Sequence, residues 1–548
     1  MSKIKIFSLG GLNELGKNMY VVDVDKDIFV FDAGLKYAED KMLGIDYIIP
    51  NYDYLKENKK RVKGIFITHG HNEQMGALND IMVDLIDIPI YATPFTAEII
   101  KQELKSENLS TKNVHEIKVH RKFKVGNCYV FPINLTHSIP ETVGYVLYTK
   151  DGAIFYTGNF VFDPTMLGGY KTDIGKLAYV GKQGVLCLLS ESSYADKIGF
   201  TSPNHRINHV ISETLNKSEG RVLFNVLQAQ LYRVQELFDE VSKTDRDIII
   251  LGRKLEEILI RAIDSGYVSF DKKRIVGIKH INDEDIVIVV SDEREKPFSN
   301  LKRIIKGYDK LVKIKETDTI LFASPVYDGN EKTAAKLFDN IAQTGANLVN
   351  LPNKKYLSHH ASSEDLMLML DLMQPKYYFP VIGEYRHQVA NAEIAKSMGM
   401  DEKNILLKLN GEVVTFVDGN LVETNEKIKT DDILIDGKTV GDIGELVLKD
   451  RELLSDNGIV LVTVTLSKAT KEILAGPEIL TRGFIYVKDN IDLIKEARKI
   501  SLEVVEANIK PKYVDFNKIK SGIRDKVGAY FYEQTECRPM ILIVLQEV

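Results

Sequence analysis

Cysteine is scarce: three residues, Cys128, Cys187 and Cys537, stand far apart in a chain of 548. So odd and scattered a set builds neither a disulfide framework nor a CxxC metal knuckle, and a reducing cytoplasm is the expected compartment. Also missing is any run of about 18 apolar residues, so no segment reads as a membrane span. The opening MSKIKIFSLGG has no apolar signal core, which leaves secretion unsupported. The sequence has no low-complexity tract, no long block of like charge and no internal repeat. An excess of positive charge is absent too: 72 Lys and Arg face 78 Asp and Glu, a net charge of −6. A protein that coats nucleic acid through its overall charge is thereby excluded, and any RNA contact must be local. Three basic stretches qualify, Lys118–Lys124 (KVHRKFK), Lys302–Lys315 (KRIIKGYDKLVKIK) and Lys354–Lys355, each with the alternative of being a solvated face.

What is present is an ordinary globular composition, 44% hydrophobic and 27% charged. Because one hydrophobic core stops growing near roughly 250–300 residues, two or three domains are expected. Short strands with glycine turns open the chain at Ile4–Leu9, Met19–Val24, Ile28–Asp32 and Gly64–Thr68. The apolar runs Ala153–Tyr156 and Val185–Leu189 read as strands buried on both faces, with polar residues where they end. From about Thr201 to Asn350 helical segments alternate with apolar strands (RVLFNVL, DIIILG, DIVIVV), the pattern of a parallel-sheet α/β unit. The helix SEDLMLMLDLM and the strand-like YYFPVIG follow. Asp418–Asp450, rich in Asp, Gly, Lys and Thr, reads as exposed connection. Beyond it a small α/β domain is expected, with strands at Ile459–Leu466, Phe484–Val487 and MILIVLQ and two helices between them.

The chemistry concentrates in His69-Gly70-His71-Asn72-Glu73-Gln74, at the end of the apolar run GIFIT. Two histidines on one short loop reach a common point, as a divalent metal requires, although an isolated HxH is more often structural. Three further elements strengthen it: Asp32 closes IFVFDAG, His137 follows FPINLT, and the turn Thr157–Asn159 follows AIFY. Their order is that of metallo-β-lactamase-type hydrolases, in which strand ends hold two metals.

Through LGGLNELGKNM, DAGLKYAEDKMLGIDYIIP, THGHNEQMGAL, LTHSIPETVGY, YTGNFVFD, SPVYDGNEK, HASSEDLMLMLDLMQPKYYFPVIGEYR, TRGFIYV and RPMILIVLQEV, the chain resembles the ribonuclease J family from end to end. The likeness is greatest to the second, catalytically degenerate paralogue that some bacteria carry. The resemblance implies an α/β fold: a metallo-β-lactamase αββα sandwich over 1–200 and 351–425, interrupted by a β-CASP domain over 201–350. A linker at 426–449 and a C-terminal association domain at 450–548 complete it. It also implies 5′-to-3′ exonuclease and endonuclease activity in RNA maturation and decay.

Carried over residue by residue, the resemblance implies that His69, His71 and His137 hold a first metal and that all three ligands are kept. The second metal's positions hold Glu73, Gln74 and Ile382, and the bridging carboxylate is replaced by Asn159. One Zn or Mn ion is expected and the second site is expected to be lost; Glu73 keeps a charge on a longer side chain. Glu191 and His360 match the family's acidic residue and proton donor; the alternatives are that Glu191 caps the turn SESS and that His360 caps the following helix. The segment that handles the substrate's phosphate end corresponds to Tyr356, Leu357, Ser358, His359 and His360, with His359 adding bulk where the family has glycine. Another family loop, GSQGEP, appears as the charged Ser291–Pro297.

Two functions follow as expectations. The first is an RNA-binding subunit with little activity of its own, which pairs with a catalytic paralogue through the C-terminal domain as a dimer or tetramer. The second is a slow mononuclear-zinc ribonuclease, active alone. An acyl or thioester hydrolase on the same fold is a weaker third, since fold alone does not fix substrate.

Overall fold

The apolar runs of the first half form two facing sheets because each has one face to hide and only the other sheet to hide it against. In the computed structural model the description covers residues 2–548 except 39–41, 167, 202–205, 228–229, 293–297, 327–329, 352–359, 438, 441–444, 486–489 and 511–512. Among the described residues one sheet has eight strands, in the order Asn420–Val422, Val414–Val417, Lys3–Gly10, Met19–Val24, Asp27–Phe31, Val62–Phe66, Ile90–Ala92 and Val114–Glu116. The other has six, in the order Tyr377–Val381, Val185–Glu191, Gly152–Tyr156, Val143–Thr149, Cys128–Asn134 and Phe123–Val125. Phe29, Phe31, Phe66, Tyr145 and Tyr156 fill the space between the sheets, and each is fully buried. On the outer face of the second sheet lie the helices Ile174–Gln183 and Ser363–Met373, over Phe131, Phe155 and Leu188.

The strands Gly152–Tyr156, Val185–Glu191 and Tyr377–Val381 run parallel, so their C-terminal ends share one edge. Cys128–Asn134 is antiparallel to its neighbour, which is antiparallel to Gly152–Tyr156, and so it ends at that edge as well. In the first sheet Asp27–Phe31 and Val62–Phe66 are likewise parallel. The first sheet is completed late in the chain, where Lys3–Ile6 pair antiparallel with Val414–Val417.

The expected parallel-sheet insertion is present. Its strands Asp247–Leu251, Ile286–Asp292, Val222–Leu227, Thr319–Phe322 and Asn347–Asn350 pair in parallel in that order. Two buried charges organise it. The Arg221 guanidinium is fully buried and grips Asp318 with two bonds of 2.9 and 2.6 Å, while also donating to the Ile281 and Lys313 carbonyls. Asp292 ends its strand by accepting from Asn225 and from the Asn300 backbone, which starts the helix Ser299–Ile305. Burial pushes its carboxyl up to about 6 against those hydrogen bonds.

The chain divides into two compact units, the first comprising Met1–Tyr37 and Ile48–Ile433 and the second Ala38–Tyr47 and Leu434–Val548. Two expectations for the later part need correction. The stretch read as exposed connection contains the strand Asp432–Asp436, and the helix Glu445–Asn457 begins within it. That helix is rich in charge and leaves Val447 and Leu454 partly exposed, so its composition imitates a loop. The C-terminal sheet contains a strand that was not expected, Ile473–Arg482. Gly476 and Pro477 interrupt its apolar pattern where the pairing with Ile459–Leu466 shifts register, and Phe484 lies past its end with its ring on Phe531. Residues 486–487 lie outside the described set.

Replacing Arg221 by methionine leaves Asp318 buried and unpaired, and should cost about 3–5 kcal/mol of stability in urea unfolding. For Asp292 the folded state binds the proton more tightly than the unfolded chain, so its contribution to stability rises as pH falls from about 6 toward 4. The stability of wild type minus that of Asp292→Asn should therefore increase by about 2–3 kcal/mol between pH 8 and pH 4, read from urea midpoints.

Candidate metal centre

His69 and His71 sit just beyond the end of Val62–Phe66, where the chain turns into the one-turn helix Asn72–Met75. Tight packing behind this loop explains the DAG motif: a Cβ on Gly34 would lie 1.7 Å from the Glu73 carbonyl oxygen, so only glycine fits. His137 arrives beyond the end of Cys128–Asn134. The ligand nitrogens of His69, His71 and His137 all lie within 4.8 Å of one another. His69 Nε2 and His71 Nδ1 approach to 3.1 Å, and the ring centroids are 4.6–5.0 Å apart. Three imidazoles this close could together hold a metal ion.

The histidines are held from behind. His69 Nδ1 is 3.0 Å from the Thr68 hydroxyl, which bonds both carboxylate oxygens of Asp32 at 3.0 Å. Asp32, fully buried, also accepts the Thr68 N–H at 2.8 Å and the Tyr156 hydroxyl at 2.7 Å. Burial pushes its carboxyl up to about 7, opposed by these donors. With Thr68 donating to Asp32 and accepting from His69 Nδ1, the Nε2 lone pair of His69 is turned to the cluster. His71 Nε2 lies 3.2 Å from the Ser138 hydroxyl, which leaves its Nδ1 facing His69.

The other positions behave differently. Glu73 is not among the grouped ligands, and its Cγ lies toward Gly16. Gln74 is buried, and neither atom of its amide has a hydrogen-bond partner among the described residues. The same holds for the Oδ1 of Asn159. Ile382 follows the strand Tyr377–Val381 with its side chain in the apolar cluster between the sheets. Its φ is +55°, a left-handed conformation that a β-branched residue adopts only under strain. The backbone is held there because the Ile382 N–H donates to the Tyr20 hydroxyl and its carbonyl accepts from Ser192.

Glu191 and His360 meet beside the cluster. Glu191 is fully buried at the end of Val185–Glu191, and its Oε2 is 2.8 Å from His360 Nδ1. Its Oε1 accepts the Phe160 and Ala361 N–H groups at 2.6 and 3.2 Å. Burial raises this carboxyl, and the neighbouring imidazole and amides lower it. The His360 ring stands 6.0 Å from His137 and 5.3 Å from Tyr194. His360 does not cap the following helix: Ser362 is its N-cap, in a capping box with Asp365. Tyr356–His359, Lys354–Lys355 and 293–297 lie outside the described residues.

Sequence reasoning missed Thr68, Ser138, Tyr156 and Tyr194. Thr68 and Ser138 were within sight, as the neighbours of ligand histidines in THGH and LTHS. Tyr156 and Tyr194 carried no local signal, because only the meeting of distant strand ends brings them in.

Four families match along the chain: the Beta-lactamase superfamily domain over 29–173, the Ribonuclease J beta-CASP domain over 219–341, the Zn-dependent metallo-hydrolase RNA specificity domain over 353–406, and the Ribonuclease J C-terminal domain over 446–548. Among solved structures, a protein of unknown function from Enterococcus faecalis V583 aligns over 76% of this chain and all of its own, with a TM-score of 0.53 and 14% identity. That likeness concerns the fold alone. Ribonuclease J 2 of Staphylococcus aureus strain MRSA252 is 35% identical over 549 residues, covering 100% of this chain and 98% of its own. Ribonuclease J 2 of Staphylococcus epidermidis strain ATCC 35984 is 35% identical over 551 residues, with the same coverage. A likeness that runs the full length of both chains, through every domain and through the histidine loop, places this chain in the ribonuclease J family.

Proposed function

We propose that this chain is an RNA-binding ribonuclease J subunit which holds one Zn or Mn ion at His69, His71 and His137, has no second metal site, and acts chiefly with a catalytic paralogue of its family. The observation that carries this reading is Ile382: where a second ion would need a donor, the chain buries an aliphatic side chain between its sheets. The unpartnered side-chain oxygens of Gln74 and Asn159 support it further, since they are neutral where two dications would need anionic charge.

The chemistry that one ion supplies when bound is polarisation of a phosphoryl oxygen and acidification of a bound water. The chain's own residues supply the rest. Asp32 and Thr68 fix the tautomer of His69, and Ser138 fixes the orientation of His71. Glu191, accepting from His360 Nδ1, keeps that ring oriented so that its Nε2 can carry a proton to a leaving oxygen. Association with a paralogue through the second unit is supported by its sheet Ile473–Arg482, Ile459–Leu466 and Met540–Glu547. Val460, Val462 and Val464 pack under the helices, whereas Leu480, Leu542 and Val544 on the opposite face remain about half exposed.

A second reading has one observation in its favour. The Glu191–His360 pair is intact and stands beside His137, as a slow one-metal ribonuclease active alone would require.

Metal analysis of the purified chain by mass spectrometry should give one equivalent of Zn or Mn per chain, lost in His137→Ala; two equivalents would overturn the one-metal site. Turnover of a 5′-monophosphorylated RNA by the chain alone should match that of His69→Ala and rise only with the catalytic paralogue. If instead the chain alone turns over RNA and His360→Ala reduces that rate roughly a hundredfold or more, the slow-hydrolase reading holds.

A further inference from the structure

The basic stretch Lys118–Lys124 takes no part in the histidine site, yet it folds against an unusual surface. Lys124, Tyr129 and Tyr148 are direct register partners across the three strands Phe123–Val125, Cys128–Asn134 and Val143–Thr149. Register partners share a face, and Phe131, two residues beyond Tyr129, packs in the cluster beneath the outer helices. The row therefore lies on the outer face of the second sheet, at its edge. Lys122 reaches over the same row, its Nζ 3.8 Å from the centre of the Tyr148 ring and 5.0 Å from that of Tyr129. Tyr129 is 44% exposed, and Tyr179 of the neighbouring helix Ile174–Gln183, within electrostatic reach of Tyr148, is 54% exposed.

The charge on these elements is mainly positive. Lys122, Lys124, Lys150, Lys176 and Lys182 are exposed, against the carboxylates Asp151 and Asp173, of which Asp173 lies 3.6 Å from His120. Among the described residues neither Lys122 nor Lys124 forms an ion pair, and Lys122 is placed instead over the Tyr148 ring. In a chain with a net charge of −6, a local positive field beside two exposed aromatic rings is a departure that packing does not demand.

We propose that this Lys–Tyr–Tyr face is a second RNA contact, a sequence-tolerant platform where bases of a single strand stack on Tyr129 and Tyr179 while Lys122 and Lys124 meet the phosphates. It lies at the opposite end of the strand that delivers His137, about 25 Å away at roughly 3.3 Å per residue. A short RNA seated at the histidines does not reach it, and a long one does. The proposal rests on the chain handling RNA but not on how many metals it holds. A protein partner is the competing occupant; the unpaired lysines beside exposed rings favour a polyanion with flat bases.

The test is fluorescence anisotropy on the full-length chain with labelled single-stranded oligoadenylate of two lengths, about 4 and about 40 nucleotides, the shorter spanning roughly 14 Å at about 3.4 Å per nucleotide. Tyr129→Ala should weaken binding of the long RNA about tenfold or more and leave the short RNA unchanged, while Tyr129→Phe keeps both affinities. Lys122→Gln combined with Lys124→Gln should reduce the salt slope of long-RNA binding by about 1.4, at roughly 0.7 per phosphate contact on a single strand. The lysine pair is exposed and its replacement removes no buried packing, so it decides the matter even if Tyr129→Ala fails to fold. Equal losses at both lengths, or no loss with the long RNA, overturn the proposal. So does unchanged RNA affinity together with loss of binding to the paralogue, which would give the face to a protein.

Discussion

One buried carboxylate ties the site to the fold. Asp32 accepts from Thr68, just past the neighbouring strand of its own sheet, and from Tyr156 on the opposite sheet, so this one carboxylate links the two layers of the sandwich. An anion in that position costs free energy unless donors surround it, which is why its carboxyl is pushed up to about 7 in spite of them. The interaction that closes the sandwich also sets the imidazole of His69, because the same Thr68 hydroxyl serves both. Stability and metal geometry therefore cannot be altered independently at this point.

Around that anchor the site shows what strand ends permit. Side chains beyond the ends of parallel strands project over a common edge, and each is replaceable without moving the strand that carries it. The three histidines and Glu191 occupy such positions, and so do Asn159 and Ile382, while His360 meets Glu191 from just before the helix Ser363–Met373. The left-handed backbone at Ile382 depends on Tyr20 and Ser192 and not on its own side chain, so an isoleucine can stand there at the cost of strain.

Much of this was legible in the sequence because it is local. GIFIT followed by HGH announces a buried strand with a loop of ligands, and the apolar strands of the insertion announce a parallel sheet. The grouping of His69 and His71 with His137 rested on resemblance until geometry brought the nitrogens within 4.8 Å. Illegible features had two physical origins. Long-range partners such as Tyr156 and Tyr194 leave no periodic trace. Segments in which glycine, proline or surface charge interrupts the apolar pattern, such as Ile473–Arg482 and Glu445–Asn457, conceal real elements behind loop-like composition. The Lys118–Lys124 run was visible as charge, but its tyrosine neighbours became evident only through strand register.

The pairing of Lys3–Ile6 with Val414–Val417 has a consequence in time. A ribosome adding roughly 5–20 residues per second needs some tens of seconds to make the intervening chain. During that interval one edge of the first strand has no partner, and Glu191 waits for His360, which lies 169 positions further on. The parallel sheet of the insertion closes within its own segment and can finish first. The order of synthesis thus makes the inserted domain a folded passenger inside an unfinished host, and the Glu191–His360 pair is assembled only after that passenger is in place.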